Sequence, residues 1–222
     1  MVRTHVIACG VMREELSCLP VHGVTFTFLE QGLHLTPTRM RGPIQEAIDS
    51  ISGKNIRRIV LCYGLCSNGV VGVRALEQPL IMPKIHDCIP MLLGSEGVWR
   101  KEQDREPGTY FLSTGFIKNG AAPLDRLKAY CGVMDREDAE WGLREEFKHY
   151  RRLVWIETGQ DPTGSFKSYA GRNAEFLGLA FEEIKGSLDL FNRVLAGGGE
   201  GDSLVIPPGE EVKAHLFYRS PW

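Results

Sequence analysis

Short unbroken apolar runs, each closed by a turn signal and separated from the next by a helix-length segment, constrain this chain more than any other feature. RRIVLCYG (57–64) and RRLVWIETG (151–159) are the clearest. Both are apolar on two faces, as parallel strands covered by helices on both sides must be. THVIACG (4–10), VTFTFLEQG (24–32), PLIMPKIHDC (79–88), TYFLSTGFI (109–117) and DSLVIPPG (202–209) read as further strands. Between them, TPTRMRGPIQEAIDSISG (36–53) carries Ile44, Ala47, Ile48 and Ile51 at helical spacing, and similar helices are expected after residues 10, 88, 123, 165 and 187. LCSNGVVGVRAL (65–76) is expected to be a loop that opens a helix, and VKAHLFYRSPW (212–222) a docked tail that ends as a strand. Strands alternating with helices throughout predict an α/β fold, Rossmann-like, with a mostly parallel sheet and helices on both faces. A single domain over 1–222 is expected, with the similar RRIVLCYG and RRLVWIETG segments hinting at two related lobes, 1–118 and 119–222.

The chain has 222 residues, 43% of them hydrophobic and 24% charged, enough to bury a sizeable core. A formal net charge of -2 offers neither nucleic acid nor an anionic membrane a basic surface. The pairs Arg57-Arg58 and Arg151-Arg152 each precede an apolar run and are expected to be solvated strand starts. No apolar run approaches the roughly 18 residues of a membrane helix, and the N-terminus lacks a signal-peptide pattern. The expectation is a cytoplasmic protein, whose six cysteines are ligands, nucleophiles or core residues rather than disulfides.

Cysteines close three of the predicted strands: Cys9 ends THVIACG, Cys62 lies in RRIVLCYG with Cys66 just after it, and Cys88 ends PLIMPKIHDC. A parallel sheet delivers such residues to one crevice beyond the carboxyl ends of its strands. Cys62, still within its strand, is expected in the core, and Cys66 in the loop is expected to face a ligand. Read as an extended segment, His86 and Cys88 share one side, with Asp87 pointing away. Imidazole and thiolate so placed can hold Zn²⁺ with Cys9 and Cys66. Three cysteines can equally hold an iron–sulfur cluster with one open iron. Asp87 and His86 are the candidates for acid–base work, although Asp87 could instead cap the following helix. Cys9 before a helix start is expected to have a lowered thiol pKa. Ser67, Asn68 and Gly69 could offer backbone amides to an anion. Thr114, Glu157, Tyr63 and Tyr110 could line the same crevice as substrate contacts. Cys18 and Cys131 are expected to be core or boundary residues.

ACGVMREEL (8–16), YGLCSNGVVG (63–72), PKIHDCIPMLLGS (83–95), PGTYFLSTGFI (107–117) and RRLVWIETG (151–159) together resemble an uncharacterised family, domain of unknown function 1638. The resemblance implies a companion role in corrinoid-dependent methyl transfer in anaerobic bacteria and archaea. Methyl transfer to thiols commonly uses Zn²⁺ with a His-x-Cys pair and a distant Cys, a set matched by His86, Cys88 and Cys66. Three functions follow as expectations. The first is a metal-dependent enzyme of methyl or sulfur transfer acting on a small molecule. The second is a non-catalytic accessory that binds a metal, a corrinoid protein or a methyltransferase. The third is a metal-free enzyme with Cys9 or Cys66 as nucleophile and His86 as base.

Overall fold

The computed structural model describes residues 3–51, 54–198 and 201–218. Five strands form one sheet: β1 (Thr4–Cys9), β2 (Val24–Leu29), β3 (Arg58–Cys62), β4 (Leu80–Pro83) and β8 (Ser203–Ile206). Their order is β2-β1-β3-β4-β8, parallel except for β8, which returns antiparallel to β4. β5 (Thr109–Leu112), β6 (Arg152–Glu157) and β7 (Ala180–Lys185) form a second sheet, parallel throughout and in sequence order. The α/β class with mostly parallel sheets is therefore observed. The sheets do not divide the chain at residue 118, because β5 before it pairs with β6 after it.

The central strands are the unbroken apolar runs. Val6, Ile7 and Ala8 of β1, Ile59–Cys62 of β3 and Leu153–Ile156 of β6 are buried, since helices or sheet cover both faces. One buried cluster joins β1, β3 and β4 to α2 (Pro37–Asp49), α3 (Ile89–Leu93) and α9 (Asp189–Ala196), and it extends to Phe111, Val154 and Ile156 of the second sheet. Smaller clusters fix α8 (Ser165–Leu177) on β6 and pack α6 (Pro123–Tyr130) against α7 (Arg136–Phe147). α4 (Glu96–Arg105) starts where Ser95 accepts the amide of Val98.

Four expectations are corrected. Residues 65–76 form no helix: Cys66, Ser67 and Asn68 take left-handed φ values of 46, 55 and 67°, and Arg74 bridges to Glu211. The strand of PLIMPKIHDC stops at Pro83, and His86–Cys88 form a bend, with Cys88 at helical φ -82°, so extended alternation does not govern them. TGFI belongs to a short helix, α5 (Thr114–Lys118). The tail makes a 3-10 turn over Ala214–Phe217 rather than a strand, and residues 219–222 lie outside the described residues.

Of the arginine pairs, Arg57 and Arg151 are exposed as expected, while Arg58 and Arg152 differ. Arg152 is buried, ion-paired to Glu102 at 2.9 Å and Glu182 at 2.8 Å, and donates to Thr109. Arg58 donates to Thr4 and to the carbonyls of Leu195 and Ala196, the free acceptors at the end of α9. Each arginine ties a strand start to neighbouring elements.

Candidate functional site

In the order β2-β1-β3-β4 the connections reverse direction between β1 and β3. Doubly wound sheets open their ligand crevice at this reversal, beyond the carboxyl ends of the strands. A cavity of about 540 Å³ lies there, and Cys9, Tyr63, Cys66, His86, Asp87 and Cys88 are among its lining residues. Cys9 comes from the end of β1, Tyr63 and Cys66 from the chain after β3, and the other three from the bend before α3.

Backbone pairing brings the last two segments together. The amides of Leu65 and Cys66 donate to the carbonyls of Ile85 and His86, at 3.0 and 2.8 Å. Gly64 lies so close to the bend that a Cβ there would stand 2.8 Å from the carbonyl oxygen of Asp87 and 2.9 Å from its Cα. The result is contact between two sulfurs: Cys66 Sγ and Cys88 Sγ are 3.8 Å apart. Three consecutive non-glycine residues at positive φ, beginning at Cys66, are a costly way to shape a loop. Each such residue costs on the order of 1–3 kcal/mol, and strain of this kind gathers at functional sites.

The three-cysteine ligand set is not assembled. Among the described residues no group of three or more His, Cys, Asp or Glu side chains could hold a metal ion. Cys9 lines the cavity but forms no such group with Cys66 and Cys88. A cluster bound by three cysteines therefore lacks its ligands in this arrangement. Two thiolates on one tetrahedral zinc, each at ~2.3 Å, stand ~3.8 Å apart. The Cys66–Cys88 pair already has this spacing.

The electrostatics revise another expectation. Burial pushes the Cys9 thiol up to about 12, and the Cys88 charge acts in the same direction. The amides of Val11 and Gly10 pull it down, but by less. Cys88 is raised well above the ordinary thiol value, first by its contact with Cys66 and then by burial, while the Gly64 amide opposes the shift. The helix-start effect at Cys9 is present but outweighed. Burial likewise pushes the Asp87 carboxyl up to about 6, against the hydrogen bond it accepts from the Ile89 amide at 2.8 Å. Asp87 thus caps α3 while lining the cavity. His86 is half-buried, its ring 5.8 Å from that of Tyr218.

Ser67 and Asn68 line the cavity, exposed at its mouth; Gly69 is buried beneath Met40 and does not line it. Thr114 and Glu157 do not line it either. Thr114 is buried at the start of α5, and Glu157 accepts from Trp155 Nε1 and the Gly159 amide. Tyr110 lines a neighbouring cavity of about 360 Å³, where its hydroxyl donates to the Ala121 carbonyl. Cys62 is buried in the core. Cys18 and Cys131 are exposed rather than core residues, each sitting just past a helix end.

His34, Met40, Phe116 and Tyr218 line the cavity without having been foreseen. His34 had a legible signal, since GLHL follows the β2 run and falls at the same carboxyl edge as the cysteines. Phe116 and Tyr218 reach the site from α5 and from the C-terminal turn, contacts that no local pattern encodes.

No curated protein matches the chain, and no solved structure matches it. The family described as "Protein of unknown function (DUF1638)" matches over residues 28–195, a span holding β3, the left-handed loop, the His86–Cys88 bend and β6. The chain belongs to the DUF1638 family.

Proposed function

We propose that the cavity is a soft-metal site of an enzyme that transfers a methyl or sulfur group, with Cys66 and Cys88 holding the ion and its remaining positions facing the substrate. The observation that carries this reading is the 3.8 Å separation of the two sulfurs inside the crevice. A bound soft cation would keep its thiolates ionised and raise the reactivity of a sulfur or small molecule beside it. The resemblance to companions of corrinoid methyl transfer supplies the reaction class and the partner, a corrinoid protein or its methyltransferase.

The test is metal and sulfide analysis of protein prepared without oxygen, followed by loading with Co²⁺. One ion per chain with sulfur-to-cobalt charge-transfer absorption is expected, lost in Cys66→Ala and in Cys88→Ala. Acid-labile sulfide, or failure to bind any soft cation, overturns it.

The absence of a third gathered ligand among the described residues favours a second reading, a metal-free enzyme with Cys66 as nucleophile and His86 as base. That reading requires rapid alkylation of one cavity thiol at neutral pH and no effect of chelators.

A further inference from the structure

Tyr63 is a buried polar side chain at the wall of the cavity. It is 2% exposed and lines the cavity, and its hydroxyl has no hydrogen-bond partner among the described residues. Cys9, Cys66 and Cys88 line the same cavity as Tyr63. Leaving a buried hydroxyl unpaired costs about 1–3 kcal/mol, and native proteins keep few such groups. A phenol carries its proton at neutral pH and is therefore available as a donor. The surrounding walls are mainly apolar, with Val11, Leu33, Leu65, Ile89 and Phe116 facing the same space. Among the described residues no Lys or Arg lines the cavity, although it opens where doubly wound sheets commonly hold phosphorylated ligands.

We infer that the natural ligand is a small, mainly apolar, unphosphorylated molecule with one carbonyl-type acceptor, and that Tyr63 anchors it by donating its hydroxyl proton to that acceptor. This rests on reading the cavity as the substrate site beside the sulfur pair. The donor fixes the ligand's oxygen, and the apolar walls exclude water and hold its body. Tyr63 thereby sets which end of the molecule meets Cys66 and Cys88.

The test compares three phenyl probes on the full chain by ligand-observed NMR: acetophenone, its hydrocarbon analogue of the same shape α-methylstyrene, and phenyl phosphate. Acetophenone is expected to bind about 3- to 10-fold more tightly than α-methylstyrene, the scale of one net hydrogen bond. Tyr63→Phe keeps the ring that packs the cavity wall, and it should bring the two affinities together while leaving α-methylstyrene binding unchanged. Retained preference in Tyr63→Phe, tighter binding of phenyl phosphate than of acetophenone, or no binding of any probe overturns the inference. Cobalt loading of both proteins separates the two proposals. A wild type that binds cobalt but shows no ketone preference refutes the Tyr63 anchor alone, and a wild type with ketone preference but no cobalt binding refutes the metal site alone.

Discussion

Gly64→Ala tests how the site is built, because this glycine is required for space. Its φ is not among the positive values, so alanine suits the backbone there. The new methyl would meet the Asp87 carbonyl oxygen at 2.8 Å and its carbonyl carbon and Cα at 2.9 Å, all backbone atoms that no rotamer change can move. Ordinary contact begins at 3.4 Å, so the bend must retreat by about 0.5–0.6 Å. The retreat is opposed by the two amide bonds from Leu65 and Cys66 to the bend. Overpacking of this kind costs about 1–3 kcal/mol. For a protein of this size each kcal/mol lowers Tm by about 2–4 °C, so a fall of about 2–12 °C is expected in a thermal melt. The same shift separates Cys66 from Cys88, so affinity for Co²⁺ should fall by about tenfold or more in anaerobic titration. Gly171→Ala, in α8 with nothing within 4 Å of its Cβ, is the control and should raise Tm slightly, as alanine does within a helix. Equal Tm changes in the two variants, or unchanged cobalt affinity in Gly64→Ala, would refute the reasoning.

Three further substitutions probe the frame around the site. Gly115→Ala should yield no soluble folded protein on expression, because its Cβ would lie 1.8 Å from the Val11 carbonyl oxygen where α5 crosses the turn after β1; recovery of a normal melt would contradict that crossing. Arg152→Ala should lower stability by about 1.5–3 kcal/mol in urea denaturation, the scale of a lost hydrogen bond to a charged group, since Glu102 keeps only its longer pairing with Arg105 at 3.5 Å. Burial raises the carboxyl pKa of Glu15, which accepts from Thr158 through one oxygen and leaves the other unpaired. A raised acid favours the folded state below its unfolded pKa, and that contribution is lost as pH rises through the folded value. Glu15→Gln should therefore gain Tm over the wild type at pH 8 and little at pH 4; a gain that is larger at pH 4 would reverse the assignment.

The parts of this fold that were legible are those whose signal is local. An apolar run such as IVLC states both its strand state and its burial, because only a doubly covered strand can be apolar on both faces. The left-handed loop was not legible. Glycine-rich text after a strand suits a helix start equally well, and the competing contact, the Arg74–Glu211 bridge, depends on a partner 137 residues away. The His86–Cys88 bend failed for a related reason. Pairing between β3 and β4 ends early, and the chain beyond is held by backbone bonds to residues 65–66 rather than by strand alternation. Arg152 was misread because a basic strand start is solvated only if no carboxylate stands above it. Here Glu102 and Glu182 arrive from α4 and β7.

The site itself separates topology from chemistry. Topology places a crevice at the β1/β3 reversal whatever residues line it, so cysteines at strand ends were bound to face one another's neighbourhood. Chemistry depends on finer distances. Two segments joined by direct backbone bonds bring their sulfurs to 3.8 Å, whereas Cys9 forms no metal-holding group with them. A crevice that elsewhere serves phosphates is lined here by sulfurs, apolar walls and a buried hydroxyl. With no Lys or Arg among the described lining residues, electrostatic attraction of an anion is then a weak organising force, and the proposed soft coordination and Tyr63 hydrogen bond would take its place. In that arrangement the loop strain at Cys66–Asn68 has a use: it fixes one sulfur against the other before any ligand arrives, so that binding need not order the loop.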